Sequence, residues 1–600
     1  MLYDELAYHI WSTKYRHVPA EGAPEASIEE TWRRVARAVA AAEPHDREHW
    51  ARAFLDALVG FRFIPAGRIL AGAGTGRRTT LFNCFVMGYI DDSIESIFEH
   101  LKQGAITMQW GGGIGVDFST LRPRGSEAAT RGTIASGPVS FMKVWDAMCA
   151  TLLSTGARRG AMMGTLRCDH PDVEEFIDAK RDPTALRNFN VSVQVTDELM
   201  AAVAADAEWP LCFPLDGGET VAGETRRLRW PGRDSEVPCR VVRRVSARAL
   251  WKRIIDAAYD SAEPGVLFVD RINAVNNLYY CEHITTTNPC GEIPLPAYGA
   301  CDLGSINLAT FVREPFTRSA RLDIEAIEEI VPVAVRLLDN VVDVSEYPLP
   351  EQAERARTTR RVGLGITGLG DALIMLGLRY DSDAGRALAA ETLERIRNAA
   401  YRTSIALAEE KGAFPAFDRD AYLAGRFVSE LPADIRDGIA RRGIRNSHLL
   451  AIAPTGTISL LANNVSSGIE PVYAAEGERR VLSRDGTPEK RRTVDFAYSL
   501  WRRERNGGLP PAFVTAGELS PEAHLAMLAA LQPLVDNSIS KTINVAPDIP
   551  REDFASIYER AHALGLKGCT VFRPNEITGS VLSAAPLEGP HCCSIEREGD

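Results

Sequence analysis

Residues 288–292, NPCGE, put an amide, a thiol and a carboxylate on alternate positions, and a second thiol, Cys301, follows eleven residues after Cys290. Pro289 and Gly291 stand between them and argue for a loop or strand tip over a helix. In an extended chain successive side chains alternate sides, so Asn288, Cys290 and Glu292 are expected to face one way. One small surface then offers a hydrogen-bonding amide, a sulfur and a potential base. Spacing alone leaves two readings open: a reactive centre, or a cysteine packed beside a strand-end carboxylate. His283 is close in sequence, but nothing in the sequence fixes it beside the thiol as an activating base.

The chain around this segment has 600 residues and a net charge of −12, with no long Lys/Arg run. That excludes a nucleic-acid-coating or membrane-surface role, while local pockets remain free to take small anions. The start, MLYDELAYHIWSTKYRHVPA, is charged throughout and lacks the apolar core of a signal peptide. No apolar stretch is long enough to span a bilayer. A cytoplasmic location is expected, with neither membrane nor nucleic acid as a partner. The eleven cysteines are scattered and form no C-x-x-C pair, so neither a disulfide scaffold, a structural zinc site nor any other side-chain metal site is expected.

Hydrophobic periodicity predicts helices within 28–60, 140–155, 324–343 and 384–411. Residues 81–121 read as an apolar segment, then a helix, then the glycine-rich GGGIGVDFS. The stretch 206–245, rich in Gly, Pro and charge, reads as a surface hairpin excursion. The helices alternate with short apolar runs such as HLLAIAPTG and GCTVFR. This is an α/β pattern with buried strands, which does not by itself separate an open sheet from a barrel.

NPCGEIPL followed by CDLGSIN closely resembles the active-site loop of ribonucleotide reductase large subunits. Further segments agree, in the family's order: NCFV at 83–86, GGGIGVDFSTLRPRG at 111–125, ASGPVSFMKVWD at 135–146, RRGAMMGTLRCDHPDVEEFI at 158–177, RRVGLGITGLGDAL at 360–373 and APTGTISLLANNVSSGIEP at 453–471. The resemblance implies an α/β fold, a ten-stranded α/β barrel with a central finger loop, preceded by an N-terminal helical region. The expected division is a helical region over 1–75, the barrel with its effector loops over 76–580, and a C-terminal tail over 581–600. Cys290 then matches the thiol that becomes a transient thiyl radical and takes the 3′ hydrogen of a ribonucleotide. Glu292 matches the general base for the 3′-hydroxyl, and Asn288 the amide that binds the ribose hydroxyls. Cys84 and Cys301 match the pair that delivers protons and electrons and finishes as a disulfide.

The same resemblance implies substrate-phosphate contacts at Thr455, Gly456, Thr457 and Ser459, in a Gly/Thr/Ser loop whose N–H groups suit a diphosphate. It implies a dNTP specificity-effector site that includes Arg158, Arg159 and Gly160, with Asp91 or Asp92, of which Asp92 is taken. Diiron-dependent relatives relay a radical through adjacent tyrosines late in the chain; here Val571 and Phe572 stand near that position. A glycyl-radical setting is also missing from the last forty residues. These departures, and the eleven-residue cysteine spacing, favour the adenosylcobalamin-dependent branch, class II. The adjacent Cys592 and Cys593 match a shuttle pair re-reduced by thioredoxin or glutaredoxin. A homodimer is expected, and no N-terminal ATP-binding cone, so no dATP on/off control through one. The substrate is expected to be a diphosphate. The rival readings are a diiron-type large subunit needing a radical-generating partner, and a non-catalytic nucleotide-binding regulatory relative.

Overall fold

A computed structural model describes residues 4–126, 134–154, 158–215, 223–482, 488–504 and 508–575. The N-terminal part is built on two helices, α1 (Ile28–Ala40) and α2 (Arg47–Leu58). Both fall within the helical region that the sequence suggests over 28–60. The break between the helices holds Pro44 and a left-handed Asp46, φ 54°, which end the first helix and start the second. Ile28, Trp32, Val35, Ala36 and Val39 form the buried stripe of α1 at helical spacing.

The strand β1 (Phe63–Pro65) leaves the helical part and joins the central sheet. The remaining strands of that sheet are β2 (Cys84–Val86), β3 (Gly113–Asp117), β4 (Met162–Arg167), β5 (Phe189–Val195), β6 (Gly265–Phe268), β7 (Ala300–Asn307), β8 (Val362–Thr367), β9 (Thr542–Asn544) and β10 (Gly568–Phe572). Strands β2 to β6 run parallel in chain order. A second parallel set contains β7 beside β8 and β9 beside β10. Residues 448–452 lie between them, through the parallel bridges Leu364–Leu450 and Ile452–Ile539. The two sets meet antiparallel twice, at β2–β7 and at β6–β10. Followed around, this ladder returns to its start, so the walls enclose an interior.

Helices cover the outside, among them α3 (Ile94–Gln109), α4 (Pro138–Thr151), α5 (Ile324–Val344) and α6 (Asp383–Lys411). With both faces covered, a barrel strand such as β7 is buried at every position. The helical part is tied to this layer by Arg336 of α5, which pairs with Glu43 at 2.6 Å and lies 3.8 Å from the Trp50 ring centroid. In the region read as a hairpin excursion, Glu208–Pro214, Thr225–Arg229 and Glu236–Ser246 form a three-stranded antiparallel sheet.

Candidate active site

The NPCGE segment is carried on a two-stranded ribbon, Thr286–Thr287 against Pro294–Leu295, that enters the barrel. Its seat on β3 has no room for side chains. A Cβ at Gly115 would lie 2.0 Å from the Thr287 carbonyl oxygen, and one at Gly113 would lie 3.2 Å from Pro289 Cγ. The tip differs from the extended chain expected from alternation. Gly291 N–H donates to the Asn288 carbonyl at 3.1 Å, and Gly291 takes φ 84°. Glycine's freedom at positive φ closes this turn. The Asn288 side chain braces it, accepting from Ile293 N–H at 3.0 Å through Oδ1.

The turn brings together residues that strand alternation would only have aligned. Asn288 Nδ2 donates to Cys84 Sγ at 3.2 Å, and the Cys84 thiol points at Glu292 Oε1 from 3.7 Å. Cys84 and Cys301 are direct register partners across β2–β7. Directly opposed residues of antiparallel strands have Cα atoms about 4.5–5.5 Å apart, within the span a disulfide bridges. Both are free thiols here, and both are buried. Burial pushes each thiol well above its ordinary range; nearby Glu292 adds to this at Cys84, and Asp302 adds to it at Cys301. They are therefore protonated at neutral pH.

Glu292 is 2% exposed, and burial raises its carboxyl above the usual range despite the opposing hydrogen bond from Asn288. Its Oε2 has no partner among the described residues, which leaves that oxygen available to an incoming group. Cys290, at the tip, is half-buried and borders a cavity shared with Asn190, Pro454, Ser540, Lys541 and Phe572.

The Gly/Thr/Ser loop after Pro454 begins the short helix Gly456–Leu461, with Thr455 left-handed at φ 52°. The Thr455 hydroxyl meets Thr367 Oγ1 at 2.9 Å and accepts from Gly468 N–H at 2.8 Å. Ser459 Oγ donates to the Gly456 carbonyl at 2.9 Å and touches Ser467 Oγ at the same distance. These hydroxyls brace the loop itself, and Thr457 is buried beside them. Asp92 pairs with Arg122 at 2.5 Å. Arg158 and Arg159 form one strand of a small hairpin with residues 153–154, and the Gly160 carbonyl accepts from Cys149 Sγ at 3.2 Å. Cys592 and Cys593 lie outside the described residues. Val571 and Phe572, in β10, are buried in the barrel wall.

Residues that motif reading passed over also meet the loop. Asn190 Nδ2 donates to the Pro289 carbonyl at 2.8 Å, and Ser538 N–H donates to the Glu292 carbonyl at 2.9 Å. Asn190 carried a signal: Asn190, Ser192 and Gln194 alternate with Val191, Val193 and Val195, which puts one polar face on a buried strand. Ser538 acts through its backbone and leaves no trace in side-chain chemistry.

Two buried thiols in register, a buried carboxyl against one of them and a third cysteine at a cavity thus lie together inside an α/β barrel. The chain belongs to the ribonucleotide reductase family: residues 82–572 match the ribonucleotide reductase barrel domain, and residues 1–78 match the family's all-alpha domain. It is 38% identical over 588 residues to a vitamin B12-dependent ribonucleoside-diphosphate reductase of Mycobacterium tuberculosis, covering 94% of this chain and 78% of that protein. A protein of the same description from Thermoplasma acidophilum is 36% identical over 559 residues, covering 90% of this chain and 67% of its own length. The ribonucleoside-diphosphate reductase subunit alpha of Chlamydia pneumoniae is 27% identical, over 91% of this chain and 57% of that one.

Proposed function

We propose that this chain is a vitamin B12-dependent ribonucleotide reductase that converts ribonucleoside diphosphates to 2′-deoxyribonucleotides. The observation that carries the reading is the register pairing of Cys84 with Cys301, with Asn288 and Glu292 both on Cys84, and with Cys290 of the same loop bordering the cavity. The similar proteins of Mycobacterium tuberculosis and Thermoplasma acidophilum suggest the cofactor and the diphosphate.

The fit of adenosylcobalamin rests on the cavity. Cys290 borders it, and its wall carries small or apolar groups such as Gly291, Gly568, Val571 and Phe572, with no tyrosine among the described lining residues. A tyrosine relay finds no phenol among those residues, which favours an oxidising equivalent that arises beside Cys290. When bound, adenosylcobalamin supplies the homolytic chemistry that removes the hydrogen atom from the Cys290 thiol.

The rest follows from this chain's own groups. The Cys290 thiyl takes the 3′ hydrogen of the ribose and later returns it. Glu292, through its unpartnered Oε2, takes the 3′-hydroxyl proton; a raised carboxyl suits a base working near neutral pH. Asn288 holds the ribose hydroxyls. Cys84 and Cys301 together give up two electrons and two protons; the 2′-oxygen leaves as water, and the two sulfurs join in a disulfide. The thiols serve here as protonated donors, which is what their burial favours. The closed barrel keeps water and stray reductants from the radical.

Thr455, Gly456, Thr457 and Ser459 would receive the substrate phosphates on a loop already braced by its own hydroxyls, adjoining the cavity through Pro454. Asp92, Arg158, Arg159 and Gly160 are assigned to a dNTP specificity effector, and Cys592 and Cys593 to re-reduction of the Cys84–Cys301 pair by a thioredoxin- or glutaredoxin-type protein. A homodimer, a cytoplasmic location and the division at residues 75 and 580 complete the reading. The decisive assay is CDP and ADP reduction by the purified protein with dithiothreitol, with and without adenosylcobalamin, in the presence of dNTP effectors. Turnover that requires the cofactor is expected. Nucleotide binding with no turnover under any condition would return the chain to a partner-dependent subunit or a regulatory relative.

A further inference from the structure

Besides the Asn288 hydrogen bond to Cys84, the Cys290 loop is held from three directions. Glycines of β3 leave space beneath the ribbon, and Ser538 N–H fixes the Glu292 end from the opposite half of the barrel. The third hold is Asn190 of β5. Its Nδ2 reaches the Pro289 carbonyl at 2.8 Å, and that carbonyl belongs to the peptide whose nitrogen is Cys290. Rotating this peptide plane moves the Cys290 Cα–Cβ bond directly. Asn190 is itself well placed to stay still: its strand pairs with β4 on one side and β6 on the other.

We propose that Asn190 is a positioning residue for the reaction, aiming the Cys290 thiol by holding the Pro289–Cys290 peptide through one hydrogen bond. The residue acts through the peptide and needs no contact with the nucleotide. Proline at 289 makes the hold effective, because its ring fixes φ and leaves the following peptide plane as the main freedom of the tip. Loss of the hold leaves the thiol chemically intact and misdirected. Misplacement by about 1 Å in such a step costs on the order of 10²-fold in rate. The inference rests on the reductase reading for its kinetic consequence, and not for the hydrogen bond itself.

The test compares Asn190→Asp, Asn190→Ala and the unaltered full-length chain. Aspartate has the same shape but, when ionised, sets an acceptor against a carbonyl; when protonated, it donates again. Both variants are expected to keep the wild-type melting temperature, to hold KM for CDP within about twofold and to lose on the order of 10- to 100-fold in kcat. The Asn190→Asp deficit is expected to shrink as pH falls, relative to wild type, while the Asn190→Ala deficit stays constant. A purely structural role gives no such rescue. Wild-type kcat in both variants, a matching rise in KM, or an Asn190→Asp deficit that runs parallel to that of Asn190→Ala at every pH overturns the proposal. Peptide-level alkylation of Cys290 by iodoacetamide gives a second readout without turnover, in which both variants change the rate at that cysteine alone; an unchanged rate also overturns it. If the wild type does not reduce ribonucleotides at all, the reductase reading fails while the alkylation result still decides the role of Asn190.

Discussion

Cys84 and Cys301 sit directly opposite one another where the two parallel halves of the barrel meet antiparallel. They come from strands more than two hundred residues apart in the chain. The antiparallel join thus sets two cysteines in direct register, each on a strand.

This geometry predicts a specific oxidised product. After turnover without an external reductant, peptide mapping should find Cys84 linked to Cys301, with deoxynucleotide formed in proportion. Cys301→Ser should lower sustained turnover by a factor on the order of 10³ or more, since no second thiol completes the two-electron balance. A disulfide between either cysteine and Cys290 instead would overturn the assignment of roles.

Glu292 predicts a trade between stability and activity. Its carboxyl is raised in the folded protein, first by burial, and Oε2 is unpartnered. A group whose folded pKa exceeds its unfolded one destabilises the fold above that range, and the cost vanishes below the unfolded value. Glu292→Gln removes the charge, so it should melt later than wild type at pH 8, with the gap closing as pH falls towards the ordinary carboxylate range. Its kcat should drop by about 10²–10⁴-fold. Calorimetry at several pH values checks the first part; an earlier-melting variant at pH 8 contradicts it.

The ribbon's seat predicts an asymmetry between glycines. Gly115→Ala forces a methyl to within 2.0 Å of the Thr287 carbonyl, whereas a methyl at Gly517 meets nothing within 4 Å. Gly115→Ala should cost about 1–3 kcal/mol and most of the activity, and Gly517→Ala should change neither. Urea unfolding and CDP reduction of the two variants measure this. Equal behaviour would mean that the loop is not seated as described.

The spacing of Asn288, Cys290, Glu292 and Cys301 is legible in the sequence, while Cys84 and the roles of all five residues come only with the family resemblance. The α/β pattern and several of the long helices were legible too, since apolar periodicity is a local property. What the chain did not reveal is what depends on distant pairing. No local pattern says that residues 448–452 complete the ring through single bridges, or that Ser538 N–H reaches Glu292. The turn at 288–291 escaped for a different reason: alternation describes an extended chain, and Gly291 in the left-handed region breaks it.

Lys567 supplies the last prediction. Its buried Nζ donates to the Val535, Asp536 and Asn537 carbonyls, just before the Ser538 that holds Glu292, and so it stitches β10 to the stretch that closes the barrel. Burial lowers its amine to about 7; Asp536 opposes that shift and Arg361 adds to it. A lysine lowered in the folded state releases its proton on folding between about 7 and its ordinary value of 10.5. The unfolded chain binds more protons in that window, so stability gains a contribution that rises with pH. Methionine at this position neither titrates nor carries a charge. The stability of wild type minus that of Lys567→Met should therefore grow in wild type's favour from pH 7 to pH 10, when both are followed by urea unfolding. A difference that stays flat over that range would mean that the ammonium keeps its proton throughout and that the three carbonyls outweigh the burial. In that case Lys567→Met should also be the more destabilised at pH 7, because three carbonyls lose a charged donor.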